Sequence, residues 1–321
     1  MDETHCEIAI IGAGMAGLAC ATRLHSAGYG VRVFDKGRGP GGRMAARRVE
    51  VAGETIRFDH GAQYFTARDP AFRSAVEAWE AQGVVARWKA ALKSEEDLAF
   101  VGTPGMNAPI RAMSDVVGGV LWNTRIDNFA HEDGLWRLTS GASLHTADTV
   151  LIAVPAEQAR DLLQPASPTL AALPARVTSE PCWAVMAAFD ARLDIAADTL
   201  RDPAKNVSWA ARNSTKPGRS SAEAWTLHAS SQRSHALVHY SGDQAAEVLL
   251  ADFFEQTGIA PIEPIHISAH RWLYAQPTSL KGEPAYFDAA LRIGIAGDYL
   301  HSPRVEGAWL SGSALAQLLL S

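Results

Sequence analysis

The sequence predicts an α/β protein in which a parallel sheet flanked by helices is interrupted by a second, α+β domain built on a mixed sheet. Three observations lead to this fold class: a glycine-rich turn directly after the first apolar run, a second glycine- and arginine-rich loop after Asp35, and an apolar strand that ends in Gly297-Asp298. Because related segments lie at both ends of the chain, the two domains are predicted to be interleaved rather than consecutive.

The first glycine-rich turn has the surroundings of a dinucleotide-binding fingerprint. An apolar strand over 7–11 meets Gly12-Ala13-Gly14-Met15-Ala16-Gly17, and a helix over 18–27 and a strand over 31–34 follow. Gly12 permits the tight turn, Gly14 lets a pyrophosphate approach the backbone, and Gly17 lets the helix pack on the strand. Asp35 follows the turn by roughly 20 residues, where an acid binds a ribose hydroxyl. The pattern predicts a Rossmann-like domain.

Composition excludes several other classes. The 321 residues are 47% hydrophobic and carry a net charge of −6, which is globular and disfavours nucleic acid as the main partner. The three cysteines are far apart and predict neither disulfides nor a metal site. The first residues are acidic rather than basic, and no apolar run reaches the ~20 residues of a membrane span, so we expect a cytoplasmic protein without membrane attachment. The oligomeric state stays open.

Two further segments favour a dinucleotide larger than NAD. The loop Gly37-Arg38-Gly39-Pro40-Gly41-Gly42-Arg43-Met44 is not needed for NAD but suits a cofactor that continues past the first helix. Arg43 is predicted either to offer a cation to a phosphate or to line the flavin side with its backbone. Asp298 is predicted to face the ribityl hydroxyls of a flavin, and the helix that opens near Gly307 is predicted to direct its N-terminus at the flavin.

These segments together resemble the FAD-containing amine oxidase superfamily. Within it, the chain is similar to bacterial renalase-type proteins from residue 7 to the C-terminus. The stretches that carry this resemblance are Val33–Met44, Asp59–Thr66, Gly102–Met106, Asn213–Arg219 and His270–Ala275.

The resemblance implies an FAD-binding domain of the amine-oxidase type over 1–68, 98–158 and 284–321, and a substrate domain over 69–97 and 159–283. The chain has no cysteine after Cys182, which implies that FAD binds without a covalent bond. The residues expected to bind it are Gly12, Gly14, Met15, Ala16, Gly17, Asp35, Lys36, Gly42, Arg43, Met44, Gly61, Ala62, Gln63, Gly297, Asp298, Gly307 and Ala308.

Periodicity in the middle of the chain predicts the elements of the inserted domain. Helices are expected over 70–82 and 245–256, because apolar residues recur there on one face. Strands are expected over 183–189, 224–229 and 236–240.

Six residues are candidates for catalysis, and each has a plainer alternative. By resemblance, Gln63 and Tyr64 lie near the isoalloxazine ring, where Gln63 orients an amide-bearing substrate and Tyr64 stacks on it; the alternative is packing. Lys216 is either near flavin N5 through a water or an exposed lysine of a Lys-Pro-Gly-Arg turn. The others are His239, at the end of a predicted strand, and Trp272 and Tyr274, which with His270 share one strand face that points into a pocket or into a core.

The leading hypothesis is an FAD-dependent oxidase. The resemblance implies that an isomeric 2- or 6-dihydro-NAD(P) gives a hydride to flavin N5, and that O2 takes the electrons to yield H2O2 and NAD(P)+. The alternatives are an amine oxidase acting on a small amine, a desaturase or isomerase with an apolar tunnel, and a non-catalytic binding protein similar to GDP-dissociation inhibitors.

Overall fold

The computed structural model describes residues 4–51, 53–91 and 98–321, so the acidic N-terminal residues 1–3 and part of the predicted 69–97 segment lie outside it. Its helices are α1 (Met15–Ser26), α2 (Pro70–Ala81), α3 (Ala108–Val117), α4 (Ala156–Leu163), α5 (Pro168–Ala171), α6 (Ser231–Ala236), α7 (Gly242–Thr257) and α8 (Val305–Leu320).

The strands fall into one large sheet, one medium sheet and two pairs. They are β1 (Thr4–Ile11), β2 (Val31–Phe34), β3 (Ala46–Val51), β4 (Glu54–Asp59), β5 (Val85–Arg87), β6 (Phe100–Gly102), β7 (Val120–Leu121), β8 (Asn128–Glu132), β9 (Leu135–Ser140), β10 (Ser143–Ile152), β11 (Ser179–Phe189), β12 (Thr199–Arg201), β13 (Val207–Arg212), β14 (Glu223–Ala229), β15 (His266–Pro277), β16 (Ala285–Asp288) and β17 (Ile293–Ala296).

The eight-stranded sheet joins the two ends of the chain. Its order is β16-β17-β10-β1-β2-β7, with β8 and β9 attached beside β10. Strands β17, β10, β1, β2 and β7 run parallel, whereas β16 and β9 pair antiparallel with their neighbours. The predicted α/β class and Rossmann-like arrangement are confirmed.

The five-stranded sheet has the order β12-β13-β14-β11-β15 and pairs antiparallel throughout. The mixed pairing that was expected here is found in the eight-stranded sheet instead. Helix α7 packs on one face, where Leu249 and Phe253 join the core around Trp225. On the opposite face, Phe58 of β4 packs against Met186 of β11. The hairpin β3–β4 therefore lies under the medium sheet.

The strand predicted over 236–240 is wrong. The Ser230 hydroxyl accepts a hydrogen bond from Arg233 N and starts α6, which ends at Ala236. Ser241 then caps α7 in a reciprocal capping box with Gln244. Two capped helices so close together leave only a turn between them.

The predicted helix over 70–82 is present as α2. It packs with the large sheet, however, and not with the substrate domain to which the predicted boundary at residue 69 assigned it. Its buried residues Phe72, Val76 and Trp79 belong to the same apolar cluster as α1 and α8. Glu306 at the start of α8 also accepts hydrogen bonds from Arg68 N and Asp69 N, at 2.6 and 2.7 Å. By packing, α2 belongs with the large sheet. Of the helices within the described ranges, none has the length and apolar character needed to cross a membrane.

Helices α1 and α8 touch backbone to backbone. A Cβ atom at Gly312 would lie 1.9 Å from Ala16 O, far inside contact distance. This close approach lets α8 pack directly on the dinucleotide-binding half of the protein.

The close contact of Gly312 with Ala16 predicts what one added methyl group does to stability. We expect Gly312→Ala to destabilise the protein by about 3 kcal/mol, because the added carbon forces the helices apart. Gly39→Ala is the matched control, since a Cβ there meets nothing within 4 Å. Urea unfolding of both variants measures the difference; equal stabilities would contradict the close packing.

Candidate active site

The turn after β1 has the shape that a dinucleotide requires. Gly12 has φ +109°, and a Cβ there would lie 2.5 Å from Ala153 O. A Cβ at Gly17 would lie 1.8 Å from Gly12 O, so only glycine lets α1 begin so close to the strand. At Gly14, by contrast, a Cβ would meet nothing within 4 Å, and no side chain caps α1. The helix N-terminus therefore presents its N–H groups to an open cradle, which fits a pyrophosphate.

Asp35 fastens the two glycine-rich loops together. Its Oδ2 accepts a hydrogen bond from Ala13 N at 2.7 Å, and its Oδ1 accepts one from Gly37 N at 2.6 Å. A carboxylate oxygen can accept more than one hydrogen bond, so Asp35 retains capacity for a ribose hydroxyl. Lys36 next to it points outward and donates to Gln158 Oε1 at 2.9 Å.

Arg43 and Asp298, predicted to face different parts of the cofactor, meet in a two-pronged ion pair with N–O distances of 2.8 and 2.7 Å. The Asp298 side chain is 7% exposed and that of Arg43 is 33% exposed. The pair joins the second glycine loop to the end of β17. Because the side chains of Arg43 and Asp298 meet at the cradle, both remain placed to contact a cofactor.

The remaining predicted cofactor residues surround this pair in tight backbone contacts. A Cβ at Gly61 would lie 2.0 Å from Arg43 O, and Ala62 N donates to the same carbonyl at 2.8 Å. A Cβ at Gly307 would lie 2.2 Å from Ser302 O, and one at Gly297 would strike the Tyr299 ring. Met15, Ala16, Met44 and Ala308 are buried beside them, and Gly42 has φ +52°. The cradle fits FAD.

Lys216 is buried rather than exposed, which settles the alternative left open by its turn. Asn213, at the start of that turn, is hydrogen-bonded to β4, since its side chain donates to Arg57 O. The Lys216 side chain is fully buried, and its Nζ donates to Asp59 Oδ2 at 3.1 Å and to Gln63 Oε1 at 3.0 Å. The ammonium also lies 5.1 Å from the centre of the Trp88 ring.

Asp59 is shared by two cations. Arg219 Nη2 donates to the same Oδ2 at 2.6 Å, while Met106 N donates to Oδ1 at 2.9 Å. All three charged side chains are at most 1% exposed. Burial alone would raise the pKa of Asp59, but Lys216 and Arg219 hold it below its usual value. Burial, together with Arg219, lowers the pKa of Lys216 to about 8.

Gln63 positions Lys216. Its Oε1 accepts from Lys216, and its Nε2 donates to Asp59 O and lies 3.4 Å from His228 Nε2. Both ends of the amide are thus engaged within the protein, which differs from the predicted contact with a substrate amide. Burial lowers the pKa of His228 to about 4, so this histidine is neutral at pH 7.

Beside Lys216, three aromatic rings form a group that we call the aromatic slot: Tyr64, Trp88 and Trp209. The Tyr64 ring centre lies 5.6 Å from that of Trp209 and 6.5 Å from that of Trp88. Tyr64 and Trp209 are half-buried, whereas Trp88 is buried. Arg201 lies over the Trp209 ring and Lys216 over the Trp88 ring, so the exposed parts of Tyr64 and Trp209 are the surfaces left for a planar ligand.

His60, His270 and Trp272 form a second aromatic group. Trp272 stacks on His60 with ring centres 5.2 Å apart and donates from Nε1 to His60 O at 2.8 Å. His270 lies 4.3 Å from Trp272 on the same strand face, as predicted. Burial, then His270 and Arg47, lower the pKa of His60 to about 3. Trp272 therefore buttresses the 60–63 turn.

The two remaining candidates lie apart. Tyr274 is half-buried two residues beyond Trp272 on β15. His239 is exposed in the turn between α6 and α7, so the structure does not bring it to Lys216. No group of three His, Cys, Asp or Glu side chains in the described ranges is arranged to hold a metal ion.

The sequence analysis missed five residues of the site: Asp59, Arg219, Trp88, Trp209 and His228. Asp59 and Arg219 stand inside stretches that carried the family resemblance; Asp59 is the counter-ion that a buried Lys216 requires, and Arg219 is a second cation on the same carboxylate. Trp209 and His228 give no such signal, because only the pairing of β13 with β14 brings them over the turn. Trp88, which directly follows β5, gives none either, because its contact with Lys216 is made across the fold.

A glycine cradle for a dinucleotide beside a buried lysine and an aromatic slot defines a flavin-dependent oxidoreductase. Comparison with known families agrees. Residues 10–79 match the NAD(P)-binding Rossmann-like domain, and residues 81–320 match the flavin containing amine oxidoreductases. The second match spans well over half of the chain, so the protein belongs to the family of flavin containing amine oxidoreductases.

Solved structures share the fold over the whole chain. A putative protoporphyrinogen oxidase from Exiguobacterium sp. 255-15 has a TM-score of 0.76 at 15% identity, with 99% of each chain covered. Putrescine oxidase bound to putrescine has a TM-score of 0.73 at 13% identity, again with 99% of each covered. Cyclohexylamine oxidase from Brevibacterium oxydans IH-35A has a TM-score of 0.62 at 17% identity, with 98% of this chain and 100% of that one covered.

Curated relatives are similar over a short segment. A zeta-carotene-forming phytoene desaturase from Myxococcus xanthus is 50% identical over 48 residues, which is 15% of this chain and 9% of the desaturase. A 1-hydroxycarotenoid 3,4-desaturase from Flavobacterium sp. (strain P99-3) is 49% identical over 57 residues, 18% of this chain and 11% of that protein. The matches span about a tenth of each relative.

Removal of the shared carboxylate is expected to be costly. Asp59→Asn leaves two buried cations without a counter-ion, and we expect a loss of about 3–5 kcal/mol in the free energy of unfolding. Adding Lys216→Met removes one of those cations and should restore part of the stability.

The control is Glu180→Gln, which breaks an exposed pair with His235 and should cost less than about 1 kcal/mol. Chemical denaturation of the three variants and the wild type measures these values. An Asp59→Asn protein as stable as Glu180→Gln would show that the three charges are not coupled.

Proposed function

We propose that this protein is a renalase-like oxidase, which oxidises an isomeric dihydronicotinamide, 2- or 6-dihydro-NAD(P), to NAD(P)+ and passes the electrons to O2 as H2O2. We further propose that FAD binds without a covalent bond, that the two domains are divided at the boundaries given above except that α2 goes with the FAD-binding half, and that the enzyme works in the cytoplasm without nucleic-acid partners.

The charge of the buried cluster formed by Asp59, Lys216 and Arg219 favours an uncharged donor. Asp59 is neutralised by both Lys216 and Arg219, so the cluster has an excess of positive charge when Lys216 is protonated. A protonated amine entering beside it would be repelled, and burial makes that repulsion stronger than in water. A dihydronicotinamide ring is uncharged and meets no such penalty.

The aromatic slot supports the same choice. Tyr64 and Trp209 are half-buried and expose parts of their rings beside Lys216. A planar ring gains dispersion energy by packing on these exposed parts; it does not fit between Tyr64 and Trp209, whose ring centres are 5.6 Å apart. Bound FAD supplies the two-electron chemistry, first accepting electrons from the donor and then returning them to O2. The chain contributes orientation and the exclusion of water.

Lys216 is suited to accept a proton, which an amine donor must lose but a dihydronicotinamide, giving up a hydride alone, does not. In its neutral form the amine has two hydrogens, which Asp59 and Gln63 accept, and this leaves the nitrogen lone pair free. With a pKa near 8, a large fraction of Lys216 is neutral at slightly alkaline pH. The residues proposed to act on the donor are therefore Tyr64, Trp88, Trp209 and Lys216, with Gln63, Asp59 and Arg219 as positioning residues.

An amine oxidase is the second candidate. Putrescine oxidase and cyclohexylamine oxidase share the fold, and a neutral Lys216 is able to take the proton that an amine must lose before oxidation. The two candidates differ in which donor reduces the enzyme.

Anaerobic mixing of the yellow holoenzyme with each donor decides between them. We expect 2- or 6-dihydro-NAD(P) to bleach the flavin absorbance rapidly and small primary amines to leave it unchanged. Trp209→Ala should slow the reduction about tenfold or more through loss of ring stacking, while Trp122→Ala, outside the slot, serves as the control. Rapid bleaching by amines alone would replace the first candidate with the second.

The ionisation of Lys216 predicts a pH profile. With an amine donor, the rate of flavin reduction should rise as pH increases through about 8, because neutral Lys216 accepts the proton that the amine loses; a dihydronicotinamide gives up only a hydride, and its rate should show no such rise. Arg219 lowers the pKa of Lys216, so Arg219→Gln should move this rise to higher pH. Lys216→Met should abolish the rise and lower the maximal rate about 100-fold or more.

Lys205→Met, at an exposed lysine in a turn, is the matched control and should keep the wild-type profile. Stopped-flow spectroscopy from pH 6 to 10 measures all four proteins. If the rise near pH 8 persists in Lys216→Met, another group is responsible for it.

A further inference from the structure

A groove of about 340 Å³ lies between the hairpin β3–β4 and the start of α3. It is separate from the aromatic slot: Ile56 and Phe58 of the hairpin face the medium sheet, and the alternate residues Arg48 and Arg57 line the groove on the other side. The groove has the size of a small-molecule site.

Three arginines line it, and one carboxylate. Arg48 and Arg57 stand directly opposite each other in the antiparallel register, an arrangement of like charges that is unfavourable by itself. Arg111 joins them from the first turns of α3, with Asp115 one turn further along the helix. No ion pair joins these three guanidinium groups to a carboxylate within the described residues. The groove therefore has a surplus of two positive charges.

The N-terminus of α3 adds to the positive potential of the groove. The Asn107 side chain, at the N-cap, does not cap the helix but donates to Pro40 O at 3.0 Å. The positive end of the helix dipole therefore faces the groove beside the arginines without a neutralising side chain. Guanidinium groups bind phosphate oxygens in pairs of parallel hydrogen bonds.

We propose that this groove binds the phosphate groups of a phosphorylated small molecule through Arg48, Arg57 and Arg111. The like-charged pair, its lack of partners and the volume of the groove are explained together by an anion of two or more charges. The phosphates belong either to a free phosphorylated metabolite or to the dinucleotide donor itself, and the second source rests on the proposed function.

Binding is tested with inorganic pyrophosphate and the holoenzyme, in which FAD fills the dinucleotide cradle. Isothermal titration calorimetry at low salt should detect binding to the wild type. The double variant Arg48→Gln/Arg57→Gln should weaken it by about 100-fold, since each lost charged hydrogen bond costs about tenfold. Arg176→Gln, at an exposed arginine outside the groove, should bind as the wild type does.

Both variants should retain the flavin absorbance and the thermal unfolding midpoint of the wild type, because Arg48 is exposed and Arg57 half-buried. Absence of pyrophosphate binding by the wild type, or equal binding by the double variant, would overturn the proposal.

The source of the phosphates is decided by kinetics. If the groove holds the donor's phosphates, the double variant raises KM for a dihydronicotinamide dinucleotide but leaves KM unchanged for the corresponding dihydronicotinamide riboside, which has no phosphate. If the ligand is a free metabolite, pyrophosphate binds and both KM values stay unchanged. If dihydronicotinamides do not reduce the flavin at all, the proposed function fails while the calorimetric result still stands.

Discussion

The shared carboxylate of Asp59 holds the active site together. It lies at the end of β4 and binds the turn after β13 through Lys216 and Arg219, and the 102–107 loop through Met106 N. Three separate segments therefore meet at one buried anion. A buried carboxylate with two cations is costly to desolvate, and its partners must keep close geometry to offset that cost. Burial in this cluster, together with Arg219, lowers the pKa of Lys216, although Asp59 itself opposes that shift.

Tight backbone contacts hold the segments of the cofactor cradle in place, as the ion cluster of Asp59 holds the segments around Lys216. Gly17 against Gly12 O, Gly61 against Arg43 O and Gly312 against Ala16 O each exclude even one extra carbon. Such contacts have little freedom to shift, since protein interiors are packed as densely as organic crystals. The cradle is thus shaped by backbone contacts, whereas the surroundings of Lys216 are formed by charged and aromatic side chains.

Much of the fold follows from local pattern. The strand–glycine turn–helix of 7–27, the helix over 70–82 and the strands over 183–189 and 224–229 are formed as predicted, because their apolar periodicity has one structural solution. The strand over 236–240 was wrong because serine caps on either side outweighed its apolar residues. Among site residues, Gln63, Tyr64 and Lys216 do lie together, and His239 lies away from them.

The sequence by itself determined the dinucleotide-binding turn, the α/β class and the family, because each depends on residues close together in the chain. Only the tertiary structure decided the state of Lys216. Its partners Asp59 and Gln63 are 157 and 153 residues away, and whether a lysine is an exposed cation or a buried proton acceptor depends on the solvent and charges around it. The pairing of Arg43 with Asp298, 255 residues apart, has the same origin: parallel strands from the two chain ends belong to one sheet, with β10 between them.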